Sequence, residues 1–295
     1  MKTLENQTLG FIGLGLMGRP MCLNLHHAGA RMVIHNRSRD VVRELESAGM
    51  QAADTPAGVA RAADIVILML SDTPAVENVL FGANSLLDGV RKGSLVIDMG
   101  TTAVNATREA AARLRQAGAD LIDAPVSGGE IGAVDGRLTI MAGGDPDAIA
   151  SARPVFEVLG SSVTRVGDSG AGQVAKAANQ VIVGLTIGAV AEALSLAESA
   201  GVDPARVRQA LLGGFAGSRI LEVHGQRMIE GQFRAGARIN TQCKDLRQAI
   251  DLGRLHEQRL PATELNLSLF QSLVEAGEGN LDHSALIRAI RNRSG

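Results

Sequence analysis

Gly170 to Gln180 reads GAGQVAKAANQ. It places one lysine, Lys176, near the start of an otherwise apolar helical run, with Gln173, Asn179 and Gln180 three or four positions away. On a helix that spacing gathers the four side chains on one face. A lone ammonium beside amides, on a helix otherwise made of Ala, Val, Ile and Leu, is costly to bury unless an anionic group binds there. Lys176 is therefore the candidate acid–base residue. A surface lysine is the alternative, and the flanking Val174, Ala175, Ala177 and Ala178 speak against it.

A second constellation lies at Gly10 to Pro20, GFIGLGLMGRP. Gly13, Gly15 and Gly18 have the GxGxxG spacing, with Leu14, Leu16 and Met17 between them. They follow an apolar strand and precede a helix, the context that dinucleotide binding requires. The first glycine permits the tight turn, the second lets the backbone approach a pyrophosphate, and the third allows close packing of helix on strand. The helix N-terminus then offers unpaired N–H groups to the phosphates. A glycine turn without a ligand is the alternative. About twenty residues on, where an acid would hold a ribose hydroxyl, the chain reads His35-Asn36-Arg37-Ser38. Asn36 and Arg37 occupy that corner, and the arginine suits a 2′-phosphate, which favours NADP with NAD possible. Leu70, Ser71 and Thr101 end later strands and are expected to line the cofactor, with Gly100 allowing close approach.

Asp123 to Gly129 reads DAPVSGG. Ser127, Gly128 and Gly129 offer a hydroxyl and unobstructed backbone N–H groups, a concavity that suits a carboxylate. An ordinary serine–glycine turn is the competing reading. Combined with Lys176, the pattern fits hydride transfer to an aldehyde. The alkoxide so formed needs a proton, which an ammonium can donate, and in the reverse direction the amine acts as base. Asn179 would orient the substrate or the lysine.

The elements needed to hold these groups can be read from the hydrophobic pattern. Short apolar strands are expected at Leu9–Gly13, Arg31–His35, Ile65–Leu70, Leu95–Met99 and Asp120–Ala124, alternating with helices. The first two helices are expected at Gly18–Ala28 and Arg39–Ala48. Leu138–Ala142 and Ser162–Val166 add edge strands. From Gln173 onward no strand is convincing. A long helix over Val174–Ala200 precedes helices at Pro204–Leu212, Ile220–Ile229, Cys243–Leu255, Ala262–Glu275 and His283–Arg291. The fold class is therefore α/β: a doubly wound, Rossmann-like sheet over residues 1–170, a long interdomain helix, and an all-α domain over 171–295.

Composition narrows the function. The net charge is −2 over 295 residues, which gives no nucleic-acid surface. Tyr and Trp are absent and Phe numbers six, so the core is aliphatic and aromatic stacking on a ligand is nearly excluded. Cys22 and Cys243 form no disulfide framework, and the six histidines lack metal-ligand spacing. No metal is expected. Asp282-His283-Ser284 reads as a helix cap. Lys244-Asp245 taken alone reads as a solvated pair. Val181 to Ala197 is nearly as apolar as a membrane span but holds Glu192 and is short for a bilayer, so it reads as a buried helix of a soluble, cytoplasmic protein with no membrane partner.

Together, GFIGLGLMGRPM, DAPVSGGEIGAVDGRLTIMAGG, GAGQVAKAANQ and KDL, in this order, resemble the β-hydroxyacid dehydrogenase (3-hydroxyisobutyrate dehydrogenase) family across essentially the whole chain. The resemblance implies a Rossmann domain joined by the long helix to a helical domain that builds a homodimer or homotetramer interface. It implies Lys176 as the catalytic residue and Ser127, Gly128, Gly129 and Asn179 as substrate contacts. It places Gly13 to Gly18, Leu70, Ser71, Thr101 and Lys244 near the cofactor. Gly213 to Met228 and Leu281 to Leu286 resemble the branch that reduces tartronate semialdehyde to D-glycerate, and Gln180 fits that branch. Three positions depart from the family pattern: Ala237 replaces an aromatic residue, Thr241 an apolar one, and Gly100 the serine that usually precedes Thr101.

Overall fold

The computed structural model describes residues 4–292. They divide into two compact units, Met1–Lys176 and Ala177–Gly295. The first is built on a nine-stranded sheet. Its strands are β1 (Thr8–Ile12), β2 (Arg31–His35), β3 (Gln51–Ala52), β4 (Ile65–Leu68), β5 (Leu95–Asp98), β6 (Asp120–Asp123), β7 (Val126–Ser127), β8 (Leu138–Gly143) and β9 (Gly160–Gly167). The order is β3-β2-β1-β4-β5-β6-β8-β7, with β9 also paired to β8. The strands β1 to β6 run parallel. In such an order the crossovers from β1 to β2 and from β3 to β4 leave in opposite directions. That opens a crevice at the carboxyl ends of β1 and β4, where open α/β sheets take ligands.

The sheet is not parallel throughout. β8 pairs antiparallel with β6 and β7, and parallel with β9. The strands expected at Leu138–Ala142 and Ser162–Val166 are present and longer, whereas β3 and β7, at two residues each, are too short for a pattern to show. Successive residues of the central strands feed two cores, one on each face. Phe11, Ile67, Ile97 and Ile122 pack on one side, and Ile12, Val66, Val96 and Leu121 on the other. Burying each of these side chains stabilises the fold by about 1.5–3 kcal/mol, and none needs a polar partner.

The long helix runs from Ala171 to Ser199. Its residues from Ala177 onward belong to the second unit. That unit also contains helices Pro204–Leu212, Arg219–Glu230, Ile239–Leu255, Pro261–Glu275 and Leu286–Asn292. Its core centres on Ile187, Leu194, Met228, Leu246, Phe270 and Leu286. The long helix is apolar and long enough to cross a bilayer by length and composition, and half of its most apolar window is buried within the chain. It is not buried on all sides within this one chain, since Ile182 and Leu196 are exposed. Ile239–Leu255 starts four residues before the expected Cys243. Lys244 therefore lies in its second turn rather than at its mouth, because the polar Asn240 and Thr241 hid the first.

Candidate active site

The turn after β1 has the backbone the glycine spacing anticipates. Gly13 has φ +100°, and a Cβ there would lie 2.3 Å from the Met69 carbonyl oxygen. A Cβ at Gly18 would lie 1.9 Å from the Gly13 carbonyl, so the helix Gly18–His27 packs tightly on the turn. Above Gly15 there is open space. The helix start has no side-chain cap and no acid in its first turn. Its positive dipole end is thus open to an anion, while Arg19 N donates to the Gly15 carbonyl, Met21 N to the Met17 carbonyl, and Pro20 has no N–H to offer. These features fit a dinucleotide pyrophosphate. Leu14 is buried, Leu16 exposed and Met17 half-buried.

The loop is braced from β2. Leu14 N donates to Asn36 Oδ1 at 3.0 Å, and Asn36 Nδ2 donates to the Ser38 carbonyl. Asn36 therefore fixes the shape of the glycine turn. Arg37 follows it, exposed, in the corner after β2. Ser71 is exposed and donates to Asp72, which caps the helix Thr73–Phe81. Thr101 and Leu70 are half-buried beside it in the crevice. A Cβ at Gly100 would lie 2.9 Å from the Leu70 carbonyl and 3.2 Å from Asp98 Oδ1. This explains why glycine stands at that departure from the family pattern: the two loops touch there.

Behind the crevice lies a buried polar lattice that the sequence did not announce. Asp98 ends β5, accepting from Gly100 N at 3.0 Å and from Thr102 Oγ1 at 2.6 Å. Asp123 ends β6, accepting from Gly170 N at 2.7 Å and Gln173 N at 2.9 Å, which ties down the start of the long helix. Asp98 and Asp123 are direct neighbours across the two strands. Burial pushes the Asp123 carboxyl up to about 6; the Asp98 charge adds to the rise and the two N–H groups oppose it. Gln173 joins the pieces. Its Oε1 accepts from Thr102 N at 3.1 Å and its Nε2 donates to the Gly100 carbonyl at 3.0 Å. It shares a helical face with Lys176, yet it acts as a clamp on the loop that carries Thr101. A readable signal did exist: both β5 and β6 are apolar runs that end in an acid.

Lys176 is 8% exposed, and its Nζ donates to the Val126 carbonyl at 2.8 Å. Val126 precedes Ser127, Gly128 and Gly129, so the structure brings the candidate acid to the candidate carboxylate turn. Gly128 has φ +140° and Gly129 φ +61°, a backbone that side-chain-bearing residues rarely adopt. Ser127 is half-buried on β7.

In the second unit, Asn179 Nδ2 donates to Gln180 Oε1 at 2.8 Å, and Gln180 Nε2 donates to Asp245 Oδ2 at 2.6 Å. Lys244 Nζ stands 2.9 Å from Asp245 Oδ1, an ion pair whose angles fall short of a hydrogen bond. Asp245 is 3% exposed. The Lys244–Asp245 pair is thus not the solvated pair its adjacency suggests; the helix turns the aspartate inward onto Gln180. Gly236 and Ala237, at the departure from the aromatic pattern, donate their N–H groups to Asp282 Oδ2. Thr241 is exposed.

Asp282 caps the short helical turn that follows, as expected, but does more. It is fully buried, pairs with Arg227 at 2.8 Å and accepts from Ser284. Burial alone would raise its carboxyl; the His224 ring, the His283 imidazole, Ser284 and Gly236 N–H hold it well below the usual range. His224, His283 and Asp282 meet in space although their spacing gave no sign of it. The two oxygens of Asp282 are committed to Arg227, Gly236, Ala237 and Ser284, so the cluster is a hydrogen-bonded knot rather than an open ligand set. Cys22 and Cys243 are buried, and burial pushes the Cys22 thiol up to about 12 and raises that of Cys243, against a lowering by Arg247. Both behave as core residues.

Backbone prepared for a pyrophosphate at the switch point of a β3-β2-β1-β4-β5 sheet defines a nicotinamide-nucleotide oxidoreductase of the Rossmann type. Comparison with known proteins agrees. Residues 8–167 match the NAD binding domain of 6-phosphogluconate dehydrogenase, and residues 170–290 match the NAD-binding family of NADP-dependent 3-hydroxyisobutyrate dehydrogenase. The chain therefore belongs to the 3-hydroxyisobutyrate dehydrogenase family of NAD(P)-dependent β-hydroxyacid dehydrogenases. It is 47% identical over 282 residues to 2-hydroxy-3-oxopropionate reductase of Escherichia coli (strain K12), covering 96% of each chain. Among solved structures it resembles 3-hydroxyisobutyrate dehydrogenase of Mycobacterium tuberculosis with L-serine (TM-score 0.87, 29% identity, 97% of this chain and 99% of that one). It also resembles Psf3 in complex with NADP+ and 2-OPP (TM-score 0.88, 28% identity, 96% and 99%).

Proposed function

We propose that this chain reduces tartronate semialdehyde (2-hydroxy-3-oxopropionate) to D-glycerate, with NADPH preferred and NADH possible. The observation that carries the reading is the hydrogen bond from Lys176 to the Val126 carbonyl, which holds a buried ammonium next to the Ser127-Gly128-Gly129 turn. The identity with the Escherichia coli reductase supports the choice of substrate. A reduced nicotinamide held in the crevice would supply the hydride. Ser127 and the N–H groups of Gly128 and Gly129 bind the substrate carboxylate, and Asn179 contacts the substrate beside it. Lys176 stabilises the charge that develops on the aldehyde oxygen and gives it a proton from Nζ. The turn Gly13 to Gly18 takes the pyrophosphate, Asn36 braces it, and Arg37 pairs with the 2′-phosphate. Leu70, Ser71, Thr101 and Lys244 complete the cofactor contacts. The reading includes residues 1–170 and 171–295 as nucleotide and substrate domains, and a cytoplasmic homodimer or homotetramer.

The test is an initial-rate panel on purified protein with tartronate, methylmalonate and succinate semialdehydes, each with NADPH and NADH. A kcat/KM for tartronate semialdehyde at least tenfold above the others is the expected result. Preference for methylmalonate semialdehyde would make the chain a 3-hydroxyisobutyrate dehydrogenase with the same proton donor. Turnover of none of the three would sink the reading.

A further inference from the structure

We infer that Gln180 is a positioning residue that turns the carbonyl of Asn179 outward as an acceptor, and so selects a semialdehyde carrying a hydroxyl donor at C2. The inference rests on the function proposed above and deepens it.

The argument is one of hydrogen-bond polarity. The Asp245 carboxylate, paired with Lys244 at 2.9 Å, can only accept. The side-chain group of Gln180 that faces it at 2.6 Å must therefore be the amide nitrogen. That nitrogen also lies 3.4 Å from Gln242 Oε1. Turning the Gln180 amide over would set its oxygen against the Asp245 carboxylate inside the protein, and Gln180 is only 8% exposed. Burial makes such a mismatch expensive. With the nitrogen held, Gln180 Oε1 must face the other way, where it accepts from Asn179 Nδ2 at 2.8 Å. Asn179 is then fixed by the same logic. Its nitrogen is drawn toward Gln180, and its Oδ1 accepts no hydrogen bond among the described residues. Asn179 is half-buried, so that oxygen has access to a ligand.

An acceptor fixed in this way favours a substrate hydroxyl over a methyl group of similar size. The methyl compound would leave the Asn179 oxygen desolvated and unpaired. The orientation follows from the Asp245 charge and not from which amide atom is drawn as oxygen.

The experiment measures kcat/KM for tartronate and methylmalonate semialdehydes with NADPH, for the wild type, Gln180→Met and Gln180→Glu. Methionine keeps the length of the side chain but frees the Asn179 amide to rotate. Whatever loss the two substrates share, the ratio of tartronate to methylmalonate semialdehyde is expected to fall roughly 5- to 30-fold, the range of one hydrogen bond. A Gln180→Glu side chain still presents an oxygen that accepts from Asn179 Nδ2, whichever its charge. Gln180→Glu is therefore expected to keep the tartronate-to-methylmalonate ratio of the wild type, whatever activity both substrates lose. A Met variant with an unchanged ratio overturns the inference, and so does equal loss on both substrates. If the Met variant does not fold, a Gln180→Glu variant whose ratio collapses although its oxygen still accepts from Asn179 overturns it alone. A wild type that favours methylmalonate semialdehyde overturns both the inference and the proposed function. A wild type that favours tartronate semialdehyde beside an unchanged Met ratio overturns the inference alone.

Discussion

Each unit sets a lysine and buried aspartates among polar partners, and the two units treat theirs in opposite ways. In the first, Lys176 donates to a main-chain carbonyl and Asp123 accepts from main-chain N–H groups. In the second, Lys244 faces the Asp245 carboxylate, and Asp282 faces Arg227 with His224 nearby. The carboxyls respond accordingly: that of Asp123 is raised to about 6 and that of Asp282 is pushed well down. Backbone N–H groups position the Asp123 carboxyl while the charge beside it is that of Asp98, so burial and repulsion favour its protonated form. Ion pairs fix both charge and position, which suits scaffolding and substrate orientation.

The contrast can be broken most sharply at the two lysines. Lys176→Met should lower kcat by about 10²- to 10⁴-fold, the usual worth of a positioned proton donor, with cofactor affinity nearly intact. Lys244→Met should act mainly on the KM for NADPH. Equal losses of kcat in both variants would remove the distinction. At the aspartates, Asp282→Ala should cost about 3–5 kcal/mol in urea unfolding, since it strands Arg227, the buried Ser284 hydroxyl and the N–H groups of Gly236, Ala237 and Ser284. A loss under ~1 kcal/mol would mean that the knot contributes little.

The pH dependence of stability separates the two carboxyls by sign. The folded chain holds the Asp123 proton more tightly than the ordinary value of 3.8 allows. The stability this gives is whole below about pH 4 and is lost as pH rises through about 6, a swing of roughly 3 kcal/mol. For Asp282 the contribution is present above the ordinary carboxylate range and disappears as pH falls through its lowered pKa. Thermal melts of wild type against Asp123→Asn between pH 4 and 7 should show the wild type losing ground as pH rises; a gain would reverse the assignment. The smallest effect is expected from Gln173→Leu, which leaves Thr102 N–H and the Gly100 carbonyl without their partner. A loss of about 1–3 kcal/mol, with KM for NADPH raised several-fold, would show that the clamp serves the cofactor loop. Stability lost with KM unchanged would confine it to the fold.

What could be read from the chain alone was what is local. The glycine turn declares itself because Gly13, Gly15 and Gly18 lie within six residues, and β1, β2, β4, β5 and β6 because apolar runs repeat between glycine and polar breaks. Lys176 stood out because its own helix is apolar. The clamp of Gln173 on Gly100 and Thr102 bridges more than seventy residues, and the meeting of His224 with His283 bridges fifty-nine, so neither leaves a periodic trace. Lys244-Asp245 misled because adjacency on a helix says nothing about which of two neighbours points inward. The antiparallel course of β8 was hidden for a similar reason: a strand's apolar pattern is the same in either direction.

The position of the long helix also orders events at the ribosome. β9 ends at Gly167 and the helix begins at Ala171, so every strand of the sheet is synthesised before Lys176. At about 5–20 residues per second, Lys176 follows Gly167 within roughly 0.5–2 s. A sheet of this topology assembles in about milliseconds to seconds. The nine strands thus all exist before the proposed proton donor does, and the donor joins a sheet whose strands are still pairing or have just paired.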